Sequence, residues 1–142
     1  MYYAPHLNRL SSALGARISP IRYVLGPGSA LAAHVRYSHP LLGEGWLSAS
    51  GQLLPGGDAA VDIKFDRFWV DVGGGEEALR PELPAPGDPA LSTGDRVVSA
   101  LGRVSFVDNF ARFPVLYLDD EGLAVFRFPP LASNIAVVRV EQ

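Results

Sequence analysis

The sequence predicts an all-β fold, antiparallel and roughly eight-stranded, coiling into a barrel, with a short helix near the N-terminus. Three observations predict it. Gly and Pro supply 15 and 12 of the 142 residues and recur along most of the chain, so the apolar segments between them are short. Within those segments apolar and polar residues alternate with a period of two. No helical crossover pattern separates them, as parallel strands would require.

At the front, Leu7, Leu10 and Leu14 are spaced for one helical face and stop before Pro20, which places an amphipathic helix in segment 1–20. A weak strand at Ile21 to Leu25 leads into Gly26-Pro27-Gly28, a turn without the lysine and following helix of a phosphate loop. Leu31, Ala33, Val35 and Tyr37 then alternate with Ala32, His34, Arg36 and Ser38, and Leu47, Ala49 and Leu53 repeat the pattern. The segment from His39 to Gly45 joins these two strands as a loop of moderate length.

From Val61 to Val72 the apolar positions are 61, 63 and 65, then 68, 70 and 72. A β-bulge inserts one residue and re-aims the side chains, so this change of parity predicts a bulge at Asp66-Arg67. Residues 73–94 carry Gly73-Gly74-Gly75 and four prolines without a strand signal, and read as a mobile surface loop. Arg96 to Val107 reads as a long strand kinked at Gly102. Phe113 to Leu118, the acidic turn Asp119 to Gly122, and Leu123 to Phe128 form a hairpin that Pro129-Pro130 ends. Asn134 to Glu141 is the last strand, and the whole of 1–142 is one domain.

Composition narrows the function. Eleven Arg and one Lys against 15 acids give a net charge of -3 with no basic stripe, which disfavours a nucleic-acid partner. The absence of cysteine removes disulfides, thiolate metal sites and cysteine nucleophiles. No apolar run approaches the length of a membrane span, and the first residues lack the basic start of a signal peptide.

Nothing in the sequence carries a catalytic motif, and the expectation is a non-enzyme without cofactor or metal. His6, His34 and His39 are not placed to share one face as ligands. Asp119, Asp120 and Glu121 fit a solvated turn better than a calcium loop, whose ligands alternate around a defined glycine. Asp62, Lys64 and Asp66 form a charged face without a cleft to separate their pKa values, and no G-x-S-x-G elbow occurs.

The aromatic set Tyr37, Trp46, Phe65, Phe68, Trp69, Phe106, Tyr117, Phe126 and Phe128 is enough either to fill a barrel or to line a cavity for an apolar ligand. Arg127 shares a parity with Leu123 and Val125. If that face points inward, the arginine can hold a polar head group; if Ala124, Phe126 and Phe128 point inward, it lies on the surface.

Tyr117-Leu118-Asp119, the turn to Gly122, the strand from Leu123 to Arg127 and the closing strand Ile135 to Val140 together resemble the C-terminal part of the plastid lipid-associated proteins, or fibrillins. Tyr117, Asp119, Arg127 and Val138 are the matching positions; Ala124 and Phe128 depart from the family pattern, which has arginine and glycine there. The resemblance implies a lipocalin-like barrel that binds an isoprenoid, quinone or acyl lipid. It also implies a chloroplast setting, in the stroma or on the thylakoid surface, with peripheral membrane contact and a transit peptide absent from this chain. The candidate ligand-binding residues are Val35, Tyr37, Ala49, Ile63 and Phe65 for the apolar tail, and Tyr117 and Arg127 for the polar end. The alternative is a structural or assembly subunit of a larger photosynthetic membrane complex, docking to protein partners through exposed aromatics and the Pro-rich loop.

Overall fold

The structure, a computed structural model, describes residues 2–3, 15–19, 21–57, 59–85, 88–105, 112–128 and 133–138. It is mostly antiparallel sheet. The strands are β1 (Tyr2–Tyr3), β2 (Arg17–Ile18), β3 (Arg22–Leu25), β4 (Ala30–His39), β5 (Gly43–Pro55), β6 (Ala60–Val72), β7 (Arg112–Leu118), β8 (Leu123–Phe128) and β9 (Ser133–Val138). Helix α1 spans Thr93–Ser105. The hydrogen-bonded order is β1-β9-β8-β7-β6-β5-β4-β2, with β3 also on β4. Among the described residues this path does not return on itself, so the fold is a curled, lipocalin-like half-barrel instead of a closed ring.

The central meander β4-β5-β6 follows directly from its sequence. His39 pairs with Gly43, so the connection is only Pro40 to Leu42, shorter than the moderate loop the sequence suggests. The ring of His39 organises it, its Nδ1 accepting from the backbone N–H groups of Leu41 and Leu42 at 3.1 Å each. Between β5 and β6 the register moves from Ser50↔Arg67 to Gly51↔Phe65, which leaves Asp66 as the extra residue. The bulge therefore falls where the parity change placed it. Gly51 stands opposite, where a Cβ would collide with the Lys64 backbone carbonyl, so only glycine lets the strands approach there.

Cross-strand partners share a face. Tyr23, Ala33, Ala49 and Phe68 form one row, Leu25, Leu31, Gly51 and Phe65 the next, and Val35, Leu47 and Val70 a third. Through Val61↔Phe113 and Val115↔Phe126 the same face continues to β8, and through Ala124↔Val137 to β9. Tyr23 near one end of the sheet and Phe126 and Val137 near the other pack against the buried apolar core, so the sheet curls around this face, its inner one.

Two expectations are corrected. Arg96 to Val107 is not a strand: Thr93–Ser105 is the α-helix, and 106 and 107 lie outside the described residues. Ser92 accepts from the Asp95 N–H at 3.1 Å and donates to the Asp95 carboxylate at 2.7 Å, an N-terminal cap the strand reading overlooked. Segment 73–94 is not a loose surface loop. The Trp46 indole donates to the Gly75 carbonyl, Arg22 grips Glu76, and Leu83 is buried. In the segment 1–20, Tyr2–Tyr3 and Arg17–Ile18 are extended, while the helical face of Leu7, Leu10 and Leu14 lies outside the described residues.

The helix has a definite task at the sheet. Among the described residues strand β7 pairs with β6 only at Ala60 to Asp62, and no other strand lies along the rest of that edge. Here α1 packs along β6, and the Ser99 hydroxyl accepts from the backbone N–H of Phe68 at 3.2 Å. Arg80 donates to the Val70 carbonyl at 3.3 Å. Side chains thus satisfy edge groups that would otherwise recruit another strand.

Candidate functional site

The inner face gathers the five residues that alternation assigned to it. Val35, Ala49 and Phe65 lie centrally, Tyr37 toward the β4-β5 hairpin, and Ile63 beyond the bulge, where it is buried. The bulge makes this continuous: positions 61, 63 and 65 and positions 68, 70 and 72 of β6 all project to this side. Part of the face is exposed. Leu25, Leu47 and Val72 lie on it with relative exposures of 67%, 46% and 83%.

Tyr117 and Arg127 do not join them. The register moves between Val115↔Phe126 and Tyr117↔Val125, so Val115 is inward and Tyr117 outward. Arg127 shares the parity of Val125 and is exposed, so its surface orientation is the one observed. Tyr117 donates to Asp119 at 3.3 Å, and Asp119 accepts from the Leu123 N–H at 2.9 Å. The acidic turn is thereby explained by its own hydrogen bonds, and among the described residues no cluster of carboxylates and histidines has the arrangement of a metal site.

The outer side of β4-β5-β6 carries a second layer that the sequence reading left as a polar face. Arg22, His34, Ser48 and Trp69 form one cross-strand row, and Arg36, Trp46 and Asp71 the next. Segment 73–85 folds over it. His34 is buried, its Nδ1 sits 2.9 Å from the Ser48 hydroxyl, and its ring meets Trp69 edge-on at 5.9 Å. Burial, with the nearby Arg22 charge second, pushes the His34 pKa below its ordinary value, so the imidazole is neutral. Ser48 is closed off from solvent as well, and the pair acts here as packing. Arg22 holds Glu76 through two bonds of 2.9 and 2.7 Å while its guanidinium lies 5.7 Å from the Trp46 ring centre.

Arg80 is the pin of this layer. It donates to both Asp71 and Asp95, each of which is buried. The Arg80 hydrogen bonds outweigh the desolvation of Asp95 and hold that carboxyl down at about 2. Arg67, on the same outer face, donates to the Leu83 carbonyl at 3.2 Å and borders a cavity of about 220 Å³ between β6, the segment 83–91 and α1.

Compared with protein-family models, with curated proteins and with solved structures, the chain finds no match.

Proposed function

We propose that this protein binds a hydrophobic small molecule, an isoprenoid, a quinone or an acyl lipid, on the inner face of its half-barrel, without catalysing a reaction. The observation that carries this reading is an apolar inner face assembled from Val35, Tyr37, Ala49, Ile63 and Phe65, on which Leu25 and Val72 remain largely exposed. Each methylene of a tail laid against it contributes about 0.8 kcal/mol before ordering costs. With Arg127 and Tyr117 on the other side, the hydroxyl of Tyr37 is the polar group suited to the head of such a ligand. The resemblance to plastid lipid-associated proteins supports a chloroplast setting, at the stroma or the thylakoid surface.

The test is solvent extraction of protein purified from its native source in mild detergent, with mass spectrometry of what is released. One quinone, carotenoid or acyl species near unit stoichiometry is expected, and Ala49→Trp, which fills the face, should lose it. A protein that carries no such species would sink the reading. A second reading, a structural or assembly subunit of a photosynthetic membrane complex, is favoured by the exposed stripe Val97, Leu101 and Val104 on α1. Co-purification of defined protein partners with an apolar-ligand-free chain would support it.

A further inference from the structure

The cavity beside α1 lies on the outer side of the sheet, away from the inner face, and its lining is unusual for a gap between packed elements. Three arginines border it. Arg67 comes from β6, while Arg96 and Arg103 are one helical stripe of α1 with Ser99 between them. Leu83, Pro84 and Leu91 supply apolar walls.

Among the described residues two of the three have no counterion. Arg67 is positioned by the Leu83 carbonyl and has two exposed carboxylates, Asp66 at 3.7 Å and Glu82 at 3.8 Å, on its solvent side. Among the described residues, neither Arg96 nor Arg103 makes a side-chain hydrogen bond or ion pair. Asp95, the nearest acid on the helix, is already taken by Arg80. Ser99 is buried and accepts from the Phe68 N–H, which leaves its own O–H to donate. Three arginines and a serine lining one cavity suit a tetrahedral or planar oxyanion, because guanidinium forks donate paired, charge-assisted hydrogen bonds.

We propose that this cavity is a second binding site, for a phosphate monoester attached to a small apolar group, with Arg67, Arg96, Arg103 and Ser99 on the phosphate and Leu83 and Leu91 against the apolar part. A volume of about 220 Å³ is below the drug-sized range of roughly 300–1,000 Å³, so the ligand is compact, or its remainder extends through the open mouth. The phosphate can belong to a free metabolite or to a lipid headgroup.

The probe is phenyl phosphate, titrated into the full chain and followed by amide chemical shifts and calorimetry, with phenol and inorganic phosphate alongside. Phenyl phosphate should bind more tightly than inorganic phosphate, phenol should not bind, and affinity should fall steeply with salt. Arg96→Gln with Arg103→Gln, two exposed positions whose loss leaves the fold intact, should weaken binding about tenfold or more. Ala49→Trp on the inner face should leave it unchanged, which separates this site from the apolar one. Phosphatidylcholine vesicles with and without phosphatidic acid identify the source. Arginine-dependent capture by the acidic vesicles assigns a headgroup, and phenyl phosphate binding without vesicle capture assigns a free ligand. No phenyl phosphate binding at millimolar concentration, equal binding by the double variant, or equal binding of phenol would overturn the proposal.

Discussion

Arg80 fastens one surface segment to two buried carboxylates, and the value of that arrangement lies in what its removal leaves behind. Asp71 and Asp95 have side chains only 6% and 8% exposed, whereas Arg80 itself is 38% exposed. An exposed ion pair is worth little, but a buried carboxylate without its counterion is costly. Discounting for the exposure of the arginine, Arg80→Ala should cost about 2–3 kcal/mol in urea unfolding. Arg80→Lys should recover only part, since one ammonium cannot reach both acids with paired bonds. The pH dependence follows. Asp95 is held at about 2 when folded, below its unfolded value, so its contribution is complete above the unfolded pKa of about 3.9 and is lost as pH falls toward 2. In Arg80→Ala only the Ser92 hydrogen bonds are left to oppose the desolvation of Asp95, so this acid-limb loss should shrink. An unchanged acid limb would show that Arg80 does not hold the carboxylate.

Among the elements, the β5-β6 pair is the one whose geometry can be tested by a single methyl group. Gly51→Ala places a Cβ against backbone that cannot swing aside, so a loss of about 2 kcal/mol or more is expected in chemical denaturation. Gly94→Ala, in the first turn of α1 with no close neighbour, should be neutral or gain up to about 1 kcal/mol from helix propensity. Equal effects at both positions would refute the bulge as the reason for Gly51. The same elements explain what could be foreseen. The bulge was legible because the apolar positions 61, 63 and 65 and the positions 68, 70 and 72 differ in phase by one residue, although Trp69 adds an apolar residue on the other face. Tyr117 was misplaced because β7 has its own irregularity at Leu116, and Phe113 to Leu118 is apolar throughout, so no change of phase marks it in the sequence. Helix α1 was missed because Val97, Val98, Leu101 and Val104 are β-branched or apolar, and its buried contacts are Asp95 and Ser99. A helix that sets Asp95, Ser99 and Gly102 against its sheet and turns Val97, Leu101 and Val104 outward defeats a reading based on buried apolar stripes. Ser92-x-x-Asp95 was its one local signal. The arginine cavity needs that helix and the folded-back segment together, so no local pattern could announce it.

At the scale of the whole molecule, strands β4 to β6 are shared by two layers, the apolar inner face and the outer layer under segment 73–85 and α1. This makes the two layers one thermodynamic unit if the outer layer cannot detach while the sheet persists. Both tryptophans, Trp46 and Trp69, are on the outer side and nearly inaccessible, at 4% and 1% exposure. Their emission therefore reports on the outer layer, while far-ultraviolet circular dichroism reports on the strands of the sheet. A detached segment would expose Trp46 and break its indole bond to Gly75, and would leave Arg22 without Glu76 and Asp71 without Arg80. Those penalties oppose partial opening, and a single domain of this size commonly unfolds in one step. The two signals should accordingly give the same urea midpoint, with Arg80→Ala shifting both together. A red shift of tryptophan emission that precedes the loss of strand signal would mean that the outer layer is a separate, weaker unit. The outer layer would then open while the inner face keeps its shape, and a ligand in the arginine cavity would stabilise the tryptophan transition alone.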